Sequence, residues 1–160
     1  MSAGAWKIKG RWPLVPGLLL LAAVALLADR FWSNLYPPPV QIADRDPGCD
    51  LRSGVCMARF PRGGTISFEI VPRTIPILSP LRLDVEIQGL DVLAVEVDFV
   101  GVEMNMGFNR IALTRIQASH YAGQATLPVC TSTRMTWEAR VLIQTPDGLL
   151  AAPFRFETTR

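Results

Sequence analysis

Leu81-Arg-Leu-Asp-Val-Glu-Ile-Gln88 places an apolar residue at every second position and a polar or charged one between. Successive side chains of a strand leave opposite faces. The stretch therefore predicts a half-buried strand with Leu81, Leu83, Val85 and Ile87 on the core side. Just upstream, Ile66, Phe68 and Ile70 alternate with Thr65, Ser67 and Glu69 in the same way. No helical period competes with this pattern after Gly64. Further strands are predicted at about 92 to 104, 110 to 117, 119 to 127, 134 to 144 and 149 to 157, the last two joined at Pro146-Asp-Gly148. About seven short antiparallel strands imply an all-β, immunoglobulin-like β-sandwich. A barrel is the alternative closure.

The N-terminal third reads differently. Lys7, Lys9 and Arg11 precede an uncharged apolar run from Trp12 to Leu27 that ends at Asp29-Arg30. Such a run predicts an N-terminal transmembrane helix with its basic flank in the cytoplasm. Small residues of the kind a signal peptidase needs occur only at Ala23-Val-Ala25, inside the run, so an uncleaved anchor is expected. Trp12 and Trp32 sit where interfacial aromatics belong, and Pro13 and Pro16 suit the first helical turn. Tyr36-Pro-Pro-Pro39 then reads as a stiff spacer. The expected organisation is a cytoplasmic tip and anchor over 1–35, a proline-rich linker over 36–41 and one exported domain over 42–160. That places the chain in the inner membrane as a single-pass protein with its domain in the periplasm.

The formal charge of +2 comes from the segment before Arg30, since arginines and acids balance from Arg30 onward. No basic footprint for nucleic acid exists. Of the three cysteines, Cys49 and Cys56 flank the turn-rich Asp-Leu-Arg-Ser-Gly-Val and are expected to form a disulfide in an oxidising compartment, leaving Cys130 reduced. A thiolate pair for a soft metal is the rival reading of Cys49 and Cys56.

Gly101-Val-Glu-Met-Asn-Met-Gly-Phe-Asn109 carries the candidate site. On a strand, Met104 and Met106 would leave the same face roughly 6 to 7 Å apart, close enough to close on one soft ion. Methionine is equally a filler of ordinary cores. Apolar parity switches at Gly101, which predicts a β-bulge there and brings Met106 to a rim of the sandwich. Met135 shares parity with Trp137, Ala139, Val141 and Ile143, so it reads either as core or as a further ligand. Cys130 lies in the loop-like Pro128-Val-Cys-Thr-Ser-Thr133, and a lone cysteine is commonly a small buried hydrophobe. His120, the only histidine, reads as an exposed strand-end residue or as an additional copper donor. Sulfur ligands select Cu(I) over harder ions.

Met104-Asn-Met-Gly107, then Tyr121-Ala-Gly123, then Met135-Thr-Trp137 and an alternating strand resemble the FixH/YtkA-like group of membrane-anchored exported β-sandwich domains over roughly Pro72 to Phe156. Met104, Met106, Gly107, Tyr121, Gly123 and Trp137 match. Cys130 and the lack of a histidine near the methionines depart from the group's pattern. The resemblance implies copper delivery and assembly of a respiratory haem-copper oxidase, with that oxidase or its assembly factors as partners.

Nothing in the chain suggests an enzyme. A single histidine, no nucleophile elbow and no metalloprotease spacing leave no acid-base or nucleophilic constellation, and Glu103 and Glu138 read as isolated solvated acids. The alternative to a copper factor is a metal-free interaction module that contacts a membrane complex through an edge strand or end loops.

Overall fold

The computed structural model describes residues 14–35, 38–129 and 133–159, with side chains described for 16–31 of the first stretch. Two compact units divide the chain, Met1–Pro38 and Pro39–Arg160. In the first, α1 (Leu14–Leu35) follows from a leucine- and alanine-rich composition with high helix propensity. Its described side chains are all exposed, among them Leu18 to Leu21, Leu26 and Leu27. Among the described residues no helix is long and apolar enough to cross a membrane. The membrane span expected from the sequence is thus not met by the described part of α1. Lys7, Lys9, Arg11, Trp12 and Pro13, on which that expectation also drew, lie outside the described residues, as does Tyr36.

The second unit is a single curled sheet. Its strands are β1 (Gln41–Ile42), β2 (Cys56–Arg59), β3 (Thr65–Val71), β4 (Leu81–Gln88), β5 (Ala94–Gly101), β6 (Arg110–Arg115), β7 (His120–Ala125), β8 (Arg134–Thr145) and β9 (Gly148–Thr159). They follow the order β1-β9-β8-β5-β6-β7-β4-β3-β2. All pairs are antiparallel except β1 with β9. The turn of the sheet occurs within β6, where Arg110 to Leu113 pair with β5 and Thr114 and Arg115 pair with β7. Two layers result, and Phe68 of β3 meets Phe154 of β9 between them with ring centroids 5.3 Å apart. A bridge between Asp44 and Arg59 ties the outer edges together.

Period-two alternation decides what is inside. Ile66, Phe68, Ile70, Leu81, Leu83, Val85, Val95, Val97, Phe99, Trp137, Ala139, Val141 and Ile143 are all fully buried or nearly so, as their parity predicts. Every residue of this core lies between Ala43 and Phe156, so the unit Pro39–Arg160 holds all the apolar packing it needs.

The count of seven strands is corrected to nine. The seven expected strands correspond to β3–β9, and the additions are β1 and β2. β1 has two residues, and β2, Cys-Met-Ala-Arg, turns only Cys56 and Ala58 inward, too small a pattern to read. The domain also begins earlier than Ile42. The Val40 amide donates to the Leu149 carbonyl at 2.7 Å and Gln41 pairs with Leu150, so both belong to the sheet and not to a linker.

The disulfide between Cys49 and Cys56 is present, with a Cα–Cα separation of 5.6 Å. Within the loop it closes, Asp50 takes the Arg52 amide at 2.9 Å and the Ser53 hydroxyl at 3.1 Å, and just before it Asp46 takes the Gly48 amide at 2.9 Å. Leu51 pins it to the core. Closing so short a loop is worth about 2.5 kcal/mol in the chain-entropy account.

Antiparallel registers put the connections 72–80, 102–109 and 126–129 at one end of the curled sheet, with Leu81 beside Ala125 and Gly101 beside Trp137. The chain enters at Val40 near the other end, hereafter the proximal end. In the distal connection between β3 and β4, Ile75 and Leu78 have positive φ, 45° and 56°. Such conformations cost about 1 to 3 kcal/mol each for a non-glycine residue and persist only where the surroundings fix them. Here the Ile75 side chain is buried, its amide donates to the Pro72 carbonyl, and the Leu78 amide donates to the Leu127 carbonyl, each at 3.0 Å.

Trp137 is the largest fully buried side chain, and its indole N–H donates to the Thr158 hydroxyl at 3.0 Å. Valine at 158 keeps the shape and removes the acceptor. Thr158→Val in residues 39–160 should lower stability by about 1 to 3 kcal/mol, the cost of a buried donor left without a partner. Urea unfolding reads it, and an unchanged midpoint would mean that the indole finds another acceptor.

Candidate sulfur site at the distal end

β5 ends at Gly101, which pairs with Trp137 and is buried. No bulge forms. Instead the 102–109 connection folds back over the strand end, held by the Val102 amide on the Thr136 carbonyl at 3.0 Å. A Cβ at Gly101 would collide with the Met104 carbonyl oxygen and the Met135 methyl, and would lie 3.0 Å from Cγ of Met106. Glycine is thus required by close approach and not by a bulge. Sequence reasoning saw the anomaly at Gly101 and assigned it the wrong cause, because a bulge and a chain reversal both break parity.

The same geometry corrects the strand argument for the methionines. Met104 and Met106 lie in a connection, not on a strand, so alternation does not relate their side chains. Their relation is one of depth. Met104 is 40% exposed, Met106 is half-buried against the core, and Met135 is 3% exposed at the start of β8. Met106 and Met135 both have a carbon within 3.0 Å of the point where a Gly101 Cβ would be, so their side chains adjoin. Gly107, with φ 78°, completes the turn, and its amide donates to Asn105 Oδ1 at 2.8 Å.

Cys130 lies outside the described residues; its loop neighbours Val129 and Thr133 are exposed, Val129 beside the buried Leu127. His120 is set apart from the methionines. It opens β7 at the proximal end, separated from the 102–109 connection by the length of β6, about 17 Å at the usual rise per residue. Nor is it an exposed turn residue: it is half-buried, with Nε2 3.2 Å from Asp84 Oδ1, and Arg82 holds the other Asp84 oxygen at 2.7 Å. It shares no ion with Met104 or Met106.

The two acids read as isolated are both engaged. Glu103 accepts the Thr136 amide at 3.1 Å. Hydrogen bonds from the Thr136 side chain and backbone hold its carboxyl below the ordinary value, against a weaker opposing effect of burial. Burial pushes Glu138 up, but hydrogen bonds and charge from Arg140, at 2.7 Å, and Arg155, at 2.9 Å, outweigh it and leave that carboxyl lowered as well. Sequence could have signalled the first of these arginines, since Glu138 and Arg140 share a face of one strand; Arg155 needs the β8–β9 register, in which it lies opposite Glu138.

Among the described residues no group of three or more His, Cys, Asp or Glu side chains could hold a metal ion. A groove of about 340 Å³ lies nearby, lined by Cys49, Asp50, Arg52, Thr136, Arg155, Phe156 and Glu157, but no methionine lines it.

No family model and no curated protein matches the chain. Among solved structures it is similar to a crystal structure of an engineered protein from the Northeast Structural Genomics Consortium, at 18% identity and a TM-score of 0.43, covering 58% of this chain and 20% of that one. It is also similar to a DUF4785 family protein from Legionella pneumophila, at 15% identity and a TM-score of 0.39, covering 60% of this chain and 28% of that one. The chain thus spans less than a third of the length of either.

Gly101→Ala should destabilise residues 39–160 by about 1 to 3 kcal/mol, because the added methyl meets backbone that cannot swing away. Thermal or urea unfolding measures it. A neutral alanine would show that the connection is free to lift. For Glu103 the sign of the pH effect is set by its lowered carboxyl. Its contribution is present above the ordinary glutamate value of 4.5 and lost as pH falls through the lower folded value. The Thr136 amide resonance should accordingly titrate with a midpoint below 4.5, and a midpoint at or above that value would remove the bond.

Proposed function

We propose that this chain is a membrane-tethered, exported immunoglobulin-like sandwich that binds one Cu(I) ion at its distal end through Met104, Met106 and Met135, with Cys130 available from the neighbouring loop. The carrying observation is the meeting of Met106 and Met135 over a glycine that tolerates no side chain, with the partly exposed Met104 in the same connection. Thioethers are soft, neutral donors suited to cuprous ion. The immunoglobulin-like reading rests on the pairing order: β4 with β7, β5 with β8, β8 with β9, and a short parallel β1 on β9. The exposed leucines of α1 and the basic residues before it support an anchor that leaves the domain in the periplasm. A role in supplying copper to a respiratory haem-copper oxidase follows from the resemblance to the FixH/YtkA-like group. No acid-base or nucleophilic constellation supports catalysis.

The burial of Met135 in an unbroken core row with Trp137 favours a second reading, a metal-free module that contacts a membrane complex. Competition with a cuprous chelator separates the two. The parent should take up one equivalent, and Met104→Leu with Met106→Leu should weaken its hold at least about tenfold, or roughly 1.4 kcal/mol. Leucine keeps volume and apolarity, so packing alone changes by less than about 1.5 kcal/mol. Copper held equally by both proteins, or by neither, makes the chain an interaction module.

A further inference from the structure

Four of the five methionines lie in the Pro39–Arg160 unit, and their surroundings differ. Met57 is 55% exposed on β2, in a shallow groove with Val55, Thr65, Ser67, Glu86 and Gln88. Met104 is 40% exposed in the 102–109 connection. Met106, two residues on in the same connection, is packed against the core, and Met135 is 3% exposed at the start of β8. Met57 and Met104 are thus open to a reagent dissolved in water, whereas Met106 and Met135, which adjoin over Gly101, are shielded by degrees.

Oxidation sorts thioethers placed in this way. Hydrogen peroxide transfers one oxygen atom to the sulfur: the S–O bond forms as the O–O bond breaks, the sulfur gives up two electrons, and the peroxide leaves as water. The product is a sulfoxide, polar where the thioether was apolar. At Met104 the new oxygen is hydrated. At Met135 it would lie inside the hydrophobic core, and burying a polar oxygen without a hydrogen bond is penalised. Access and product stability therefore favour the same residue. The change also matters for a soft ion, because a sulfoxide presents a hard oxygen where Cu(I) selects soft sulfur.

We infer that Met104 is a modification site, oxidised by peroxide to the sulfoxide ahead of Met106 and Met135, and that this one oxygen atom loosens Cu(I) bound at the distal end. The second half rests on the copper reading above, and the first half does not.

Peptide mapping and chelator competition test the two halves in turn. Residues 39–160 carry Met57→Leu, which removes the other exposed thioether, and Cys130→Ser, so that no expected free thiol competes for the oxidant. The protein is exposed without metal to limiting hydrogen peroxide, and mass spectrometry with fragmentation reads each methionine separately. Sulfoxide should accumulate at Met104 first, then at Met106, and at Met135 at least about tenfold more slowly than at Met104, since a buried thioether reacts only through local opening. Circular dichroism should not change at this stage. In competition with a cuprous chelator the oxidised protein should hold copper about tenfold more weakly, matching the unoxidised protein with Met104→Leu added, on which the same peroxide dose should have no effect. Treatment with a methionine sulfoxide reductase should restore the original mass and the original hold. Conversion of Met135 as fast as Met104 overturns the first half. Unchanged copper binding after Met104 is converted, or a loss accompanied by unfolding, overturns the second. Should the unoxidised protein take up no copper, the second half falls with the copper reading, while the order of oxidation still decides the first.

Discussion

At the distal end the inner face of the sandwich is closed by a strand terminus without a side chain. Gly101 lets the 102–109 connection turn back within contact of β5, and that return brings Met106 onto Met135 and Glu103 onto the Thr136 amide. The next strand then starts in register, with the Phe99 amide on the Asn109 carbonyl at 2.9 Å and Arg110 beside Asp98. From there β6 crosses between the layers. The sulfur neighbours therefore follow from one steric fact, and a displaced connection would also shift the entry of β6, which pairs with β5 and β7.

Alternation made β3, β4, β5 and β8 legible, because one face of each is buried and a one-residue slip would expose a whole row of Val, Ile, Leu and Phe. It did not reveal β1 and β2. Their pairing depends on the parallel contact with β9 and on the disulfide-closed loop, which are long-range facts that leave little local pattern. The disulfide itself was readable, since a short turn-rich segment between two cysteines already limits their separation. The methionine segment was only half legible. Its residues were found by composition, but their geometry was inferred from strand parity, and parity ends where the strand ends.

Paired charges occupy the outer faces. Glu138 bridges Arg140 and Arg155, Asp84 is shared by Arg82 and His120, and Arg110 lies between Glu96 and Asp98 with its guanidinium 5.5 Å from the Phe108 ring centroid. Most of these groups are partly exposed, where individual pairs contribute little. Their directly opposed or same-face strand positions agree with the register that the buried apolar rows set. Two arginines hold the Glu138 carboxyl below its ordinary value, against the opposing effect of burial.

Function, on this reading, concentrates where charge is absent. A neutral thioether loses nothing by burial, whereas a carboxylate or imidazolium would be penalised. That asymmetry explains how a soft donor set can sit at the edge of a hydrophobic core without a polar network to support it. It also ties the exposed rim to the buried sulfur, because Met104 and Phe108 belong to the one connection that covers Met106.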